Sequence, residues 1–121
     1  MFLIDSSGWI EFLTDGQHAE KYAKYLKDSS KIKTPTIILY EVYKKIKRER
    51  TEEEALLAVS LINRTSVIPL SESIALFAAD LSLQYSLPMA DAIVYATALE
   101  DGCKVVTSDA HFQGLDRVVF I

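Results

Sequence analysis

The sequence predicts an α/β domain built on a mainly parallel sheet. Three observations lead there. Short apolar runs of strand length alternate with amphipathic stretches of helix length along the whole chain. One stretch, Met89 to Leu99, has the length of a helix but carries only Asp91, Tyr95 and Thr97 as polar groups, as a helix packed on every side would. The 121 residues, 50% hydrophobic and 25% charged, suffice for one packed core and not for two, so a single domain over residues 1–121 is expected.

Taken in order, Phe2-Leu3-Ile4 reads as the first strand, and Asp5-Ser6-Ser7 as the start of a helix with an apolar stripe of Trp9, Ile10, Phe12 and Leu13. Gly16 breaks the pattern. His18 to Asp28 resumes it, with Tyr22, Tyr25 and Leu26 on one side and Lys21, Lys24 and Lys27 on the other. Lys31 to Thr34 is a short strand closed by Pro35, and Thr36 caps a helix from Ile37 to about Arg48. Thr51 followed by Glu52, Glu53 and Glu54 is an N-cap with acids in the first turn, opening a helix through Leu61. Ser66 to Leu70 is strand-like but interrupted by Pro69, and Ser71 opens a helix to about Tyr85. Pro88 suits the first position of the apolar helix, which Gly102 stops. Cys103 to Thr107 is a strand, Asp109 to Phe112 a helical turn, and Arg117 to Ile121 the last strand.

Composition narrows the function classes. A lone Cys103 makes no intrachain disulfide and no thiolate zinc cluster, which points to a reducing compartment. No run of eighteen apolar residues is present, and Phe2-Leu3-Ile4 is too short for a signal sequence, so a cytoplasmic protein without membrane contact is expected. The net charge of −4 taken alone disfavours nucleic acid. Its distribution does not: Lys21 to Arg50 holds ten bases against three acids (Asp28, Glu41, Glu49), a balance of +7, while the remaining residues carry 3 bases against 14 acids, −11. A basic surface facing a polyanion and two well-solvated helix faces both fit that asymmetry.

Four acids stand among apolar or small neighbours. Asp5 and Asp109 each follow a strand directly, and in a parallel sheet the carboxyl ends of the strands share one edge, where ligand crevices open. Each also precedes a helical stretch that it could simply cap. Glu41 falls between Ile37 and Ile38 on a helical wheel, on the apolar side, where a carboxylate needs a partner. Lys45 at i+4 is one candidate for an internal ion pair, and a site is the other. Asp91, between Ala90 and Ala92, lies near the amino end of the apolar helix, where the helix dipole also favours a carboxylate. Gathered together, four carboxylates repel and raise one another's pKa values unless a divalent cation neutralises them, and oxygen-only ligation suits Mg²⁺ or Mn²⁺.

Asp5-Ser6-Ser7 after an N-terminal strand, Glu41 within Ile37-Ile38-Leu39-Tyr40-Glu41-Val42, Met89-Ala90-Asp91-Ala92-Ile93-Val94-Tyr95-Ala96-Thr97-Ala98, and Thr107-Ser108-Asp109-Ala110-His111-Phe112 together resemble the PIN domain, and within it the small VapC-type ribonuclease toxins of type II toxin–antitoxin systems. The resemblance spans essentially the whole chain. It implies a three-layer sandwich with four to five short strands, with Asp5, Glu41, Asp91 and Asp109 as the acidic quartet holding Mg²⁺ or Mn²⁺, and Ser7 and Thr107 as supporting hydroxyls. Many members have a further acid where this chain has His111, which leaves one or two metals open. The implied chemistry is metal-assisted hydrolysis of RNA phosphodiesters. The implied partners are an RNA substrate, an antitoxin seated on the apolar faces of the first helices, and a second copy in a homodimer. Lys44, Lys45, Lys47 and Arg48, which continue the helix bearing Glu41, are the candidate RNA contacts. A PIN-fold RNA-processing nuclease without an antitoxin, or a non-catalytic binding protein, is the competing assignment. A phosphorelay receiver fits poorly because Asp5 is followed by serines. A haloacid-dehalogenase-type phosphatase would need an aspartate where Ser7 stands.

Overall fold

The computed structural model describes all 121 residues. Five strands and six α-helices alternate: β1 (Phe2–Ile4), α1 (Ser6–Leu13), α2 (Ala19–Leu26), β2 (Lys33–Pro35), α3 (Thr36–Glu49), α4 (Glu52–Ile62), β3 (Ser66–Ile68), α5 (Glu72–Tyr85), α6 (Met89–Glu100), β4 (Lys104–Thr107) and β5 (Val118–Phe120). Single 3₁₀ turns occupy Ser29–Lys31 and Ala110–Phe112. Every strand pairing is parallel. β1, β4 and β5 form one ladder, β2 and β3 another, and a parallel bridge between Phe2 and Ile32 joins them in the spatial order β3-β2-β1-β4-β5. The chain travels outward from β1 to β3, then crosses back to β4 and β5. Parallel crossovers are right-handed as a rule, and a winding that reverses direction in this way sets helices on both faces of the sheet, the three-layer sandwich.

The core follows from the apolar pattern. Leu3, Ile4, Val105 and Val106 of the central strands are fully buried, and Ile38, Val42 and Ile46 bring one stripe of α3 down onto the core. Every residue of α6 from Ala92 to Ala98 is buried, as its apolar sequence predicts. Trp9, Leu81 and Cys103 are core residues as well.

Several boundaries differ from the sequence expectation, for local reasons. The segment before β2 is drawn into a 3₁₀ turn because Asp28 accepts a hydrogen bond from the Ser30 amide at 3.1 Å, so β2 starts at Lys33. Pro35 does not close that strand from outside. It is the last strand residue, in register with Ile68, and its extended backbone makes it the N-cap of α3, with Thr36 the first helical residue. Pro88 likewise stands at the N-cap of α6, at φ −58° and ψ 157°, one place before the helix. β3 ends at Ile68, since Pro69 has no amide to donate to the ladder.

Candidate active site

β1 and β4 are neighbours in the sheet but belong to the two halves of the winding, so the crevice of this parallel sheet opens beyond their carboxyl ends. Asp5 leaves β1 at that point, its amide still donating to the Val106 carbonyl at 3.1 Å. Its side chain is only 3% exposed as a residue and fully engaged. Oδ1 accepts from the Ser6 amide at 2.8 Å, and Oδ2 accepts from the Thr107 hydroxyl at 3.0 Å and the Ser7 hydroxyl at 3.3 Å. Asp5 therefore caps α1 and faces the site at once. Burial pushes its carboxyl above the usual range, the Thr107, Ser6 and Ser7 hydrogen bonds oppose that, and the Asp109 charge adds to it.

Thr107 ties the first and last acids together, because its hydroxyl oxygen also accepts from the Asp109 amide at 3.0 Å. Asp109 caps the turn that follows, its Oδ1 accepting from the His111 amide at 2.9 Å. The His111 ring closes back over it: Nδ1 lies 2.9 Å from Asp91 Oδ2 and 3.1 Å from Asp109 Oδ1. One ligand atom from each of Asp91, Asp109 and His111 falls within 4.8 Å of the others. Asp91 arrives from the first turn of α6, and its carboxyl is raised to about 6, first by burial and then by Asp109 and Asp5, with His111 opposing. Glu41, on the second turn of α3, is raised by burial first and then by Asp5, with a smaller contribution from Asp109. It forms no ion pair with Lys45, the alternative open from the sequence. All four acids thus feel one another across the crevice, with no lysine or arginine paired to any of them.

The donor set fits a hard divalent cation: carboxylates in a partly buried, mutually repelling group are what such an ion neutralises. Beside it lies a cleft of ≈ 290 Å³ lined by Ser6, Ser7, Glu41, Lys44, Lys45 and Arg48, together with Ile10 and Tyr40. The basic residues of α3 divide at this point. Lys44, Lys45 and Arg48 line the cleft and Lys47 does not; the Lys47 ammonium lies over the Tyr43 ring and pairs with Glu52 at 3.3 Å, much as the Lys44 ammonium lies over Tyr40 and Arg48 pairs with Glu49.

Two participants, Tyr22 and Gly8, escape sequence reading, and a third, His111, is marked there by its position alone. His111 is visible only as the residue two places after Asp109, and its approach to Asp91 depends on how α6 packs against β4. Tyr22 of α2 reaches under the site, its hydroxyl donating to Ser108 Oγ at 2.9 Å. Gly8 makes room for it, since a Cβ there would stand 2.4 Å from Tyr22 Cε1 and 2.8 Å from Ile4 Cγ2.

Residues 2–118 match the PIN domain family, and the chain belongs to it. In fold it is similar to solved toxin–antitoxin structures. One is a toxin–antitoxin complex from Klebsiella pneumoniae, at TM-score 0.83 and 23% identity over 98% of this chain and 96% of that one. Another is the DNA-bound VapBC of Salmonella typhimurium, at 0.77 and 17% over 99% and 96%. A third is VapC20 of Mycobacterium tuberculosis, described as a sarcin–ricin-loop-cleaving toxin, at 0.75 and 15% over 93% and 92%. No curated protein matches the sequence. No helix is long and apolar enough to cross a membrane.

Proposed function

We propose that this chain is a single-domain, Mg²⁺- or Mn²⁺-dependent endoribonuclease, the toxin of a type II toxin–antitoxin pair acting in the cytoplasm. One observation carries the proposal. Four carboxylates from four separate elements converge at the carboxyl edge of a parallel sheet, two of them tied through Thr107, and no lysine or arginine is paired with any of them. A fold does not keep such a group for stability, because like charges held together in a partly buried crevice cost free energy.

Asp5, Asp91 and Asp109 would hold the cation, with Glu41 across the crevice. A divalent ion there supplies Lewis-acid charge for a phosphodiester and a lowered pKa for an attacking water. Ser7 and Thr107 fix the Asp5 carboxylate through hydrogen bonds to one oxygen, so its orientation is set before substrate arrives. Glu41, with a raised carboxyl facing the cleft, suits orienting a water or taking its proton. Lys44, Lys45 and Arg48 place positive charge along the same cleft, where an RNA backbone would run.

The antitoxin is supported by the similar folds of Klebsiella pneumoniae and Salmonella typhimurium, which were solved as toxin–antitoxin complexes, and by two adjoining clefts beside α1 and α3 in which Ile10, Leu13, Ile46, Leu57 and Ala58 stand among Lys45, Glu49, Arg50 and Glu54. A homodimer is supported by Leu76 and Leu83 along α5 and by Met89, which are 63%, 86% and 74% exposed in the single chain. The deciding experiment is RNA cleavage in Mg²⁺ or Mn²⁺. Asp5→Asn and Asp91→Asn each lower turnover by more than ~10²-fold, beyond the loss typical of residues that merely orient a ligand. Cleavage by both variants at the wild-type rate would remove the quartet from the mechanism.

A further inference from the structure

The geometry points to His111 Nδ1 as a direct metal ligand, making this centre a mixed nitrogen–oxygen site that prefers Mn²⁺ over Mg²⁺. The inference rests on the metal-dependent reading above and deepens it. With bonds of about 2.1 Å, adjacent ligands of an octahedral ion stand about 3.0 Å apart. Nδ1 stands 2.9 Å from Asp91 Oδ2 and 3.1 Å from Asp109 Oδ1, so it already has the spacing of a neighbouring ligand to each, and one ligand atom from each of the three residues falls within 4.8 Å of the others. The ring is pinned at its base, because the His111 amide is held by Asp109 Oδ1 and Phe112 next to it is fully buried. Its side chain is nonetheless 57% exposed, which leaves it accessible to an incoming ion. Without metal, Nδ1–H can donate to the two carboxylates. A cation at Nδ1 would take the lone pair of the neutral tautomer whose hydrogen sits on Nε2, reached from the Nδ1–H form by exchange with solvent or from the doubly protonated ring by releasing one proton to solvent. Mg²⁺ takes oxygen almost exclusively, whereas imidazole is a good ligand for transition ions. A nitrogen in the shell therefore raises affinity for Mn²⁺ relative to Mg²⁺.

The test is Mn²⁺ and Mg²⁺ binding to the full chain, followed by calorimetry and, for Mn²⁺, by pulsed electron paramagnetic resonance, in wild type, His111→Ala, His111→Asp and Asp91→Asn. Wild type is expected to show the coupling of a directly bound ¹⁴N nucleus, and His111→Ala to lose it. In His111→Ala, Mn²⁺ affinity falls about tenfold or more while Mg²⁺ affinity changes far less, and His111→Asp narrows the Mn²⁺/Mg²⁺ ratio. Mn²⁺ bound in wild type without nitrogen coupling, with an unchanged ratio in His111→Ala, overturns the ligand assignment and leaves the acidic site standing. Absence of bound Mn²⁺ in wild type, or equal binding by Asp91→Asn, overturns both.

Discussion

The two charged regions of this protein are held in opposite ways. The acids at the ends of β1 and β4 are buried or half-buried, fixed by hydrogen bonds, and without a lysine or arginine partner. The bases of α3 stand in solvent on long stems, and Lys47, Arg48 and Arg50 are paired with Glu52, Glu49 and Glu54. An exposed pair of that kind contributes ~0–1 kcal/mol, whereas a buried carboxylate with acidic neighbours shifts its own proton equilibrium. Clustering of charge is therefore informative where the fold makes charge costly. On α3 the same count of charges is compatible with mere solvation, and position along the cleft is what distinguishes Lys44, Lys45 and Arg48 from Lys47.

The contrast is most sharply tested at the support beneath the acids. Gly8→Ala drives a methyl group into the Tyr22 ring and is expected to destabilise the fold by ~1–3 kcal/mol in denaturant titration. An unchanged midpoint would mean that the acids rest on a scaffold as adaptable as the basic face. Next in size, combined Lys44→Ala, Lys45→Ala and Arg48→Ala should leave the midpoint in place, weaken binding of single-stranded RNA, and flatten its log–log salt dependence by about 2, at roughly 0.7 per phosphate contact. Lys47→Ala alone should leave that slope nearly untouched. A flattening as large for Lys47 as for the other three would erase the division of the helix.

The smallest expected effect concerns charge repulsion itself. Asp91 has a folded carboxyl raised from 3.8 to about 6, so between those values the folded chain binds more protons than the unfolded one. The stabilisation from its protonated form is complete below 3.8 and is lost as pH rises through about 6. Metal-free Asp91→Asn should accordingly melt a few degrees above wild type at pH 7, and the gap should close by about pH 4. Calorimetry at both pH values decides it. A lower melting temperature for the variant at pH 7 would make Asp91 a structural capping residue instead.

Much of the site was legible in the sequence because it is locally encoded. Asp5 and Asp109 follow strands, and that position alone sends them to the carboxyl edge of a parallel sheet. Glu41 is displaced into the apolar arc of α3, and a helical wheel detects it. Asp91 could be placed at the exposed end of a buried helix from the apolar run behind it. The misplaced boundaries at Pro35 and Pro88 share a cause: both residues accept the extended backbone of an N-cap as readily as the first helical position, and only the neighbouring strand or turn selects between them.

By itself, then, the sequence determined the alternation of elements, the apolar identity of α6 and the four acids that stand among apolar or small neighbours, leaving open for each a site or a structural role. Hydrophobic period and capping chemistry act within a few residues, and they suffice for that. Tertiary structure alone decided that the strand order runs β3-β2-β1-β4-β5, that Thr107 bridges Asp5 to Asp109, that His111 meets Asp91, and that Lys47 turns away from the cleft its neighbours line. Each of those is a meeting of side chains set by how strands order and helices pack, and burial pattern along a chain specifies which face is covered without specifying what covers it.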